Sequence, residues 1–384
     1  MKYDVIIVGG GPGGAIAARR CAEGGLKTLL LEKKGFNREK PCAGGLTKKV
    51  LDRFGIPEEV VERSYSGITF GYENDCFTID DKDRIGVFVC RGKFDSKLVD
   101  LAEDAGAEVK DRTSVIDLTL RDGFVTGVKA KASDETECID SDIVIGADGQ
   151  SSVVRRKLNS FVQNPSRISV WYLHQMKLSN ELIDERIGDR FEMYLGGEIP
   201  KTQYAWIFPK NDMVTVGIGA MLSEIREDKV QLKDCLNRFI NTHPIASKKL
   251  DGAKIIMSQG GRITCLGTSR STCFNGALLV GEAAGQAMIS SGEGIYYAMA
   301  GGEIGGKWAI KSASAGDFSR EFLSGYEEAC KAEIGPDLKR SVEVQEMAAR
   351  SQGSARRIFN MIKENPRMRQ FVLDMLLKGS WGLF

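Results

Sequence analysis

The sequence predicts an α/β fold: a Rossmann-type dinucleotide-binding domain, an inserted antiparallel-sheet substrate domain, and C-terminal helices. Three observations predict it. An apolar run, Val5–Val8, enters a glycine-rich turn near the N-terminus. A second buried-strand pattern, Leu278–Val280, enters another glycine turn late in the chain. Between them, from about Ile168 to Ile263, apolar and polar residues alternate with aromatic pairs, which is the texture of an antiparallel sheet.

The elements follow in order. Val5–Val8 runs into Gly9-Gly10-Gly11-Pro12-Gly13-Gly14, and an alanine-rich helix continues from Ala15 to Ala22. Thr28–Leu31 is a second buried strand ending at Glu32, so the N-terminus reads as a βαβ unit. Phe94 to Ala105 has the spacing of an amphipathic helix, followed by a short strand near Glu108–Val109 and strands across Val115–Lys131. Ile143–Ile145 is a further buried strand leading into Gly146-Ala147-Asp148-Gly149. After the inserted sheet, Leu278–Val280 enters Gly281-Glu282-Ala283-Ala284-Gly285, and beyond about Lys311 the chain is helical and charged. Residues 1–60, 85–160 and 265–310 are expected to form one discontinuous domain. Residues 61–84 and 161–264 form the inserted one, and 311–384 the helical region.

Composition excludes several functions. Lys+Arg 53 against Asp+Glu 52 leaves a formal charge of +1, so no overall field draws the chain to nucleic acid. The nine cysteines contain no CxxC pair, and His174 and His243 are the only histidines, which argues against a metal site. An odd number of scattered thiols suits a reducing compartment. The N-terminus reads directly into a strand with no signal peptide, and no apolar run reaches the ~18–20 residues of a membrane span. The expected location is the cytoplasm, at most peripheral on the inner face of the membrane.

Gly9-x-Gly11-x-x-Gly14 has the spacing that sets a pyrophosphate on a helix N-terminus. Glu32, closing the next strand, is placed to accept hydrogen bonds from a ribose hydroxyl. One such motif, joined to a distant second glycine turn, favours FAD over NAD, because the ribityl chain and flavin need a second anchor. Glu282 is suited to the ribityl hydroxyls. Gly292-Glu293-Gly294-Ile295 opens a helix whose amides could face the flavin N1–C2=O edge and stabilise the anionic reduced flavin.

The chain resembles flavoproteins of the para-hydroxybenzoate hydroxylase fold. Gly146-Ala147-Asp148-Gly149 is similar to their Asp-Gly motif beside the FAD pyrophosphate and riboses, and Arg91-Gly92-Lys93-Phe94-Asp95 to their Arg-x-x-Phe-Asp segment. Within that group it resembles the geranylgeranyl reductases, including the archaeal digeranylgeranylglycerophospholipid reductases. Tyr204-Ala205-Trp206-Ile207-Phe208-Pro209 with trailing Gly217-Ile218-Gly219 fits their Tyr-x-Trp-x-Phe-Pro signature. Pro41-Cys42-Ala43-Gly44-Gly45 resembles their cysteine–glycine loop, and Ser291-Gly292-Glu293-Gly294-Ile295-Tyr296 their segment at the flavin. The resemblance implies FAD contacts at Ala15, Glu32, Cys42, Ala43, Gly45, Arg91, Val115, Glu282, Gly294 and Ile295. Glu282 departs from the family's usual aspartate by one methylene. The resemblance runs to about residue 310.

In an extended strand Tyr204, Trp206 and Phe208 face one way. They make an aromatic wall suited to an isoprenoid chain, or else an ordinary core face. The resemblance favours the wall, flanked by Gly217 and Gly219. The reading that follows is an FAD-dependent reductase saturating C=C bonds of geranylgeranyl chains, with an isoprenoid lipid substrate and an external electron donor such as ferredoxin or a nicotinamide. No catalytic acid stands out; Cys42, Tyr204 and Tyr296 are candidates. The alternatives are a flavin-dependent aromatic hydroxylase or halogenase of the same fold, although a Trp-x-Trp-x-Ile halogenase motif is missing, and a non-catalytic redox flavoprotein using Cys42. Met368, Phe371, Val372, Met375 and Leu376 recur at helical spacing near Arg367, Arg369 and Lys378, ahead of Trp381-Gly382-Leu383-Phe384. They are expected to pack on the protein's own core, the alternatives being a foot on anionic lipid or a lid.

Overall fold

A parallel sheet carries the N-terminal half of the architecture. Lys2–Val8 lies between Glu135–Gly146 and Thr28–Leu31, and the sheet extends to Ala277–Leu279 on one side and Glu108–Lys110 on the other, all pairing in parallel. The structure, a computed structural model, describes residues 2–158, 164–265, 271–350 and 354–377. Side chains alternate across this sheet as strand geometry requires. Val5, Ile7 and Leu30 join the core beneath the helices Pro12–Glu23, Arg91–Asp104 and Ile295–Ala315. Ile6, Val8, Leu29 and Leu31 face the opposite way, onto the hairpin Thr113–Arg121 and Phe124–Ala132. Both faces are therefore covered, and the strands read as continuous apolar runs for that reason.

The second sheet has seven strands in the order Lys254–Thr264, Ile168–Lys177, Met213–Met221, Ala205–Pro209, Arg190–Leu195, Gly67–Tyr72 and Asp75–Asp80. Every pair is antiparallel except Arg190–Leu195 with Gly67–Tyr72, which is parallel. That parallel pair joins segments far apart in the chain, so no hairpin links them. One face, with Ala205, Ile207, Val216 and Ile218, packs on Leu232, Leu236 and Phe239 of the helix Leu232–Thr242. The other face carries Trp171, Trp206, Phe208 and Phe191.

A small three-stranded sheet of Gly45–Thr47, Gly86–Val89 and Val61–Tyr65 bridges the two larger ones. Among the described residues, four helices follow Ile295–Ala315. Arg320–Glu333 is pinned by the Tyr326 hydroxyl, which donates to the Leu279 carbonyl at 2.7 Å. From the last two, Ser354–Glu364 and Pro366–Leu377, Phe359, Ile362, Val372 and Leu373 close over Phe70 and Phe77. The expected C-terminal stripe divides here: Val372 is buried and Phe371 is 49% exposed. The side chains of Met375 and Leu376, and Lys378 with the terminal Trp381–Phe384, lie outside the described residues.

Candidate active site

The glycine turn is shaped by close backbone approach. Gly9 has φ +106°, and a Cβ on Gly14 would overlap the Gly9 carbonyl, so only glycine fits at either place. The helix Pro12–Glu23 begins at Gly11 with no side-chain cap, leaving its first amides free for an anion. The Gly10 N–H donates to Glu32 Oε2 at 2.8 Å, fixing the carboxylate at the end of its strand.

A chain of charges surrounds this turn. Arg38 donates to Glu32 Oε2 at 3.2 Å and lies 3.9 Å from Asp95. Asp95 in turn receives two bonds from Arg91, at 2.8 and 2.9 Å. The Lys40 ammonium lies 3.8 Å from where a Gly11 Cβ would sit. Burial, with help from the neighbouring Arg91 charge, pushes Lys40 down to about 8. Three cations face two carboxylates, an excess of one positive charge beside an open helix N-terminus.

The late glycine turn at Gly281–Gly285 meets the Gly146–Gly149 turn through Arg155. Its buried guanidinium donates to the carbonyls of Gln150 at 2.6 Å and of Glu282 and Ala283 at 3.3 Å. Asp148 is occupied locally: its carboxylate accepts from the Ser152 hydroxyl at 2.5 Å and from Val153 N–H at 2.6 Å. Glu282 is different. Its Oε1 is buried with no partner, and burial raises the carboxyl to about 7 against the pull of Lys40, Arg155 and Arg91.

One cavity joins these pieces to the second sheet. Its wall includes Gly11, Lys40 and Glu282 at one end and Tyr204, Trp206 and Phe208 at the other, with Cys42 and Gly294 also on it. The three aromatics share a face, as period two demands, and a Cβ on Gly45 would come within 2.9 Å of the Phe208 ring. The Trp206 indole N–H is buried and unpartnered. The Tyr204 hydroxyl donates to the Ser291 carbonyl at 2.5 Å, and burial, then the nearby Glu293 and Cys42, hold its proton well above the usual phenol range.

Of the predicted residues, Gly11, Cys42, Ala43, Gly45, Arg91, Glu282, Gly294, Ile295 and the aromatic wall all line this cavity. Gly9, Gly14 and Glu32 lie just behind it and shape the turn, and Ala15 sits buried in the helix they start. Val115 packs in the hairpin core under the parallel sheet. Gly217 and Gly219 are not on the cavity surface; they lie beneath the indoles of Trp206 and Trp171. Tyr296 lines the cavity, and its hydroxyl accepts from Arg53 at 3.0 Å, within a network that includes Glu303.

Among the wall residues to which the sequence reading gave no role are Lys40, Trp171 and Glu293. Trp171 comes from a strand two places away in the sheet, which only the register reveals. Lys40 stands in a run of charges and carries no local signature. Glu293 had one, a carboxyl enclosed by Gly292 and Gly294 ahead of an apolar helix.

The residues fit a bound flavin dinucleotide. The open helix end with its excess positive charge suits a pyrophosphate, the unpartnered Glu282 oxygen suits a ribityl hydroxyl, and the uncapped N-terminus of Ile295–Ala315 reaches the same cavity.

Comparison with known proteins agrees. The FAD binding domain family matches residues 2–332. Digeranylgeranylglycerophospholipid reductase 2 of Methanococcoides burtonii is 35% identical over 354 residues, covering 90% of this chain and 84% of its own. The corresponding reductase of Methanocaldococcus jannaschii is 33% identical over 330 residues, covering 85% and 81%. Among solved structures, a geranylgeranyl bacteriochlorophyll reductase-like protein from Thermoplasma acidophilum superposes with a TM-score of 0.88 at 26% identity, over 99% of this chain and 96% of that one. A flavin-dependent brominase shares the fold, with a TM-score of 0.77 at 18% identity over 99% and 94%. With FAD as its cofactor, the chain belongs to the digeranylgeranylglycerophospholipid reductase family.

Proposed function

We propose that this chain saturates C=C bonds in the geranylgeranyl chains of archaeal-type glycerophospholipid precursors. The observation that carries the reading is the shared cavity: an aromatic wall of Tyr204, Trp206 and Phe208 opens onto the same space as the dinucleotide turn and the helix at Gly294. Rings on a rigid sheet offer a long apolar chain a flat surface at low entropic cost and hold a double bond in place for reaction. Reduced FAD supplies hydride. The chain's own residues hold the cofactor, align the alkene and keep bulk water away.

An external donor reduces the flavin between turnovers. Peripheral contact with the membrane is proposed through the last two helices, where Met361 and Phe371 are 44% and 49% exposed beside exposed Arg357 and Arg367. No helix among the described residues is long and apolar enough to cross a membrane.

The test is spectroscopic. Protein reduced stoichiometrically under argon should regain the absorbance of oxidised flavin when geranylgeranyl lipid is added, and stay bleached with the fully saturated lipid. Reoxidation that needs oxygen and ignores the unsaturated lipid would refute the reading.

A further inference from the structure

We propose that Glu293 is the acid that protonates the alkene, an inference that rests on the reductase reading above. The residue sits in the wall of the cavity, one position before the Gly294 that opens the helix Ile295–Ala315. Its two carboxyl oxygens have different surroundings. Oε1 accepts from the Thr47 hydroxyl at 3.4 Å, while Oε2 is sealed from solvent and has no hydrogen-bond partner. An ionised carboxylate with an unpaired buried oxygen is costly, and the neutral acid is the form this setting favours.

The groups facing it agree. From the helix Lys48–Phe54 comes Lys49, which favours ionisation, and from Gly335–Arg350 comes Asp337, which opposes it. Those two pair with each other at 2.7 Å, and each side chain is about one-fifth exposed. Tyr65, Tyr204 and Tyr297, the last from the helix that Glu293 leads into, are neutral neighbours. Burial outweighs the lysine and lifts Glu293 to about 8, so the acid holds its proton at neutral pH.

The two tyrosine candidates are worse placed. The Tyr204 proton is engaged with the Ser291 carbonyl, and the Tyr296 hydroxyl is turned to Arg53. In the step, the alkene π bond breaks and its electron pair forms the C–H bond to the incoming proton, while the hydride brings its own pair for the other C–H bond. One carbon takes hydride derived from the reduced cofactor. Its neighbour takes the Glu293 proton as that O–H bond breaks. The alkene is reduced by two electrons, the cofactor is oxidised by two, and the carboxylate regains its proton from water.

The experiment compares wild type with Glu293→Gln and Glu293→Asp, each as FAD-loaded protein reduced by dithionite under argon. Gln is expected to keep FAD and its reduced spectrum while the single-turnover rate of alkene reduction falls at least about a hundred-fold, with Asp intermediate. The second readout is independent of turnover. Infrared spectra of the wild type should show a protonated-carboxyl band that disappears as pH rises through about 8 and is missing in Glu293→Gln. The wild-type rate should fall over the same range. A Gln variant that reduces the lipid at the wild-type rate would overturn the inference. If that variant loses FAD, the wild-type titration decides: a rate and a band with unrelated midpoints overturn it equally. A wild type that reduces no lipid at all is a different failure, that of the reductase reading itself.

Discussion

The indole rings of Trp171 and Trp206 meet edge to face, with centroids 5.3 Å apart and planes at 63°. They reach each other across an intervening strand. Met213–Met221 lies between their two strands, and the register sets Trp171 opposite Gly219 and Trp206 opposite Gly217. A side chain at either glycine would occupy the ground the indoles lie on. The trailing Gly-x-Gly thus serves the wall by leaving room for it.

Gly217→Ala should therefore tilt the Trp206 ring into the cavity. The expected cost in stability is about 1–3 kcal/mol, the usual range for overpacking. Lipid reduction should fall further than FAD affinity, since the dinucleotide turn belongs to the other sheet. Equal losses in thermal stability and FAD affinity, with lipid turnover per bound FAD unchanged, would show that the ring's position is immaterial.

Lys40 is expected to hold the cofactor's pyrophosphate. Lys40→Met removes a charge-assisted contact worth ~1.5–3 kcal/mol, a loss of roughly ten- to hundred-fold in FAD affinity. The ammonium is charged below about 8 and neutral above, so FAD binding to apoprotein should weaken as pH climbs past that point. The variant should lose this part of the pH dependence. Lys40 is a cleaner probe than Arg91, because Arg91→Ala would also strip the fully buried Asp95 of its bidentate partner and destabilise the fold.

The two raised carboxyls bear on stability. Glu282 and Glu293 protonate at about 7 and about 8 in the folded chain, against about 4.3 when unfolded. Between those limits the folded form binds more protons, so the stability of apoprotein should fall as pH rises from about 4.3 to about 8. Denaturant melts of apoprotein at pH 5 and pH 9 should show the decline, and Glu282→Gln with Glu293→Gln should flatten it. An unchanged slope in the double variant would place the titration elsewhere.

Much of this was legible in the sequence, for physical reasons that differ by element. The segments Val5–Val8 and Leu29–Leu31 are covered on both faces, so they announce themselves as unbroken apolar runs. The wall residues Tyr204, Trp206 and Phe208 follow from period two within one strand. What sequence hides is register. Trp171 and the glycines beneath both indoles lie on neighbouring strands whose alignment no local pattern records. The parallel pairing of Arg190–Leu195 with Gly67–Tyr72 joins distant segments and was hidden likewise. Lys40 was missed for a different reason, since a charged residue in a loop reads as solvated until the fold buries it, whereas Glu293 lay in a recognised glycine segment that gave its side chain no role.

The central claim is hydride-and-proton addition to an isoprenoid held against Tyr204, Trp206 and Phe208. The most direct measurement is mass analysis of geranylgeranyl glycerophospholipid after anaerobic incubation with the dithionite-reduced protein. Each saturated bond should add about two mass units, because one hydride and one proton join the alkene and nothing leaves. In heavy water the proton-derived position should carry deuterium. Trp206→Ala should keep FAD yet lower the yield or change how many bonds are reduced. An unchanged lipid mass under argon, with an oxygenated or halogenated aromatic product formed only in air, would contradict the account.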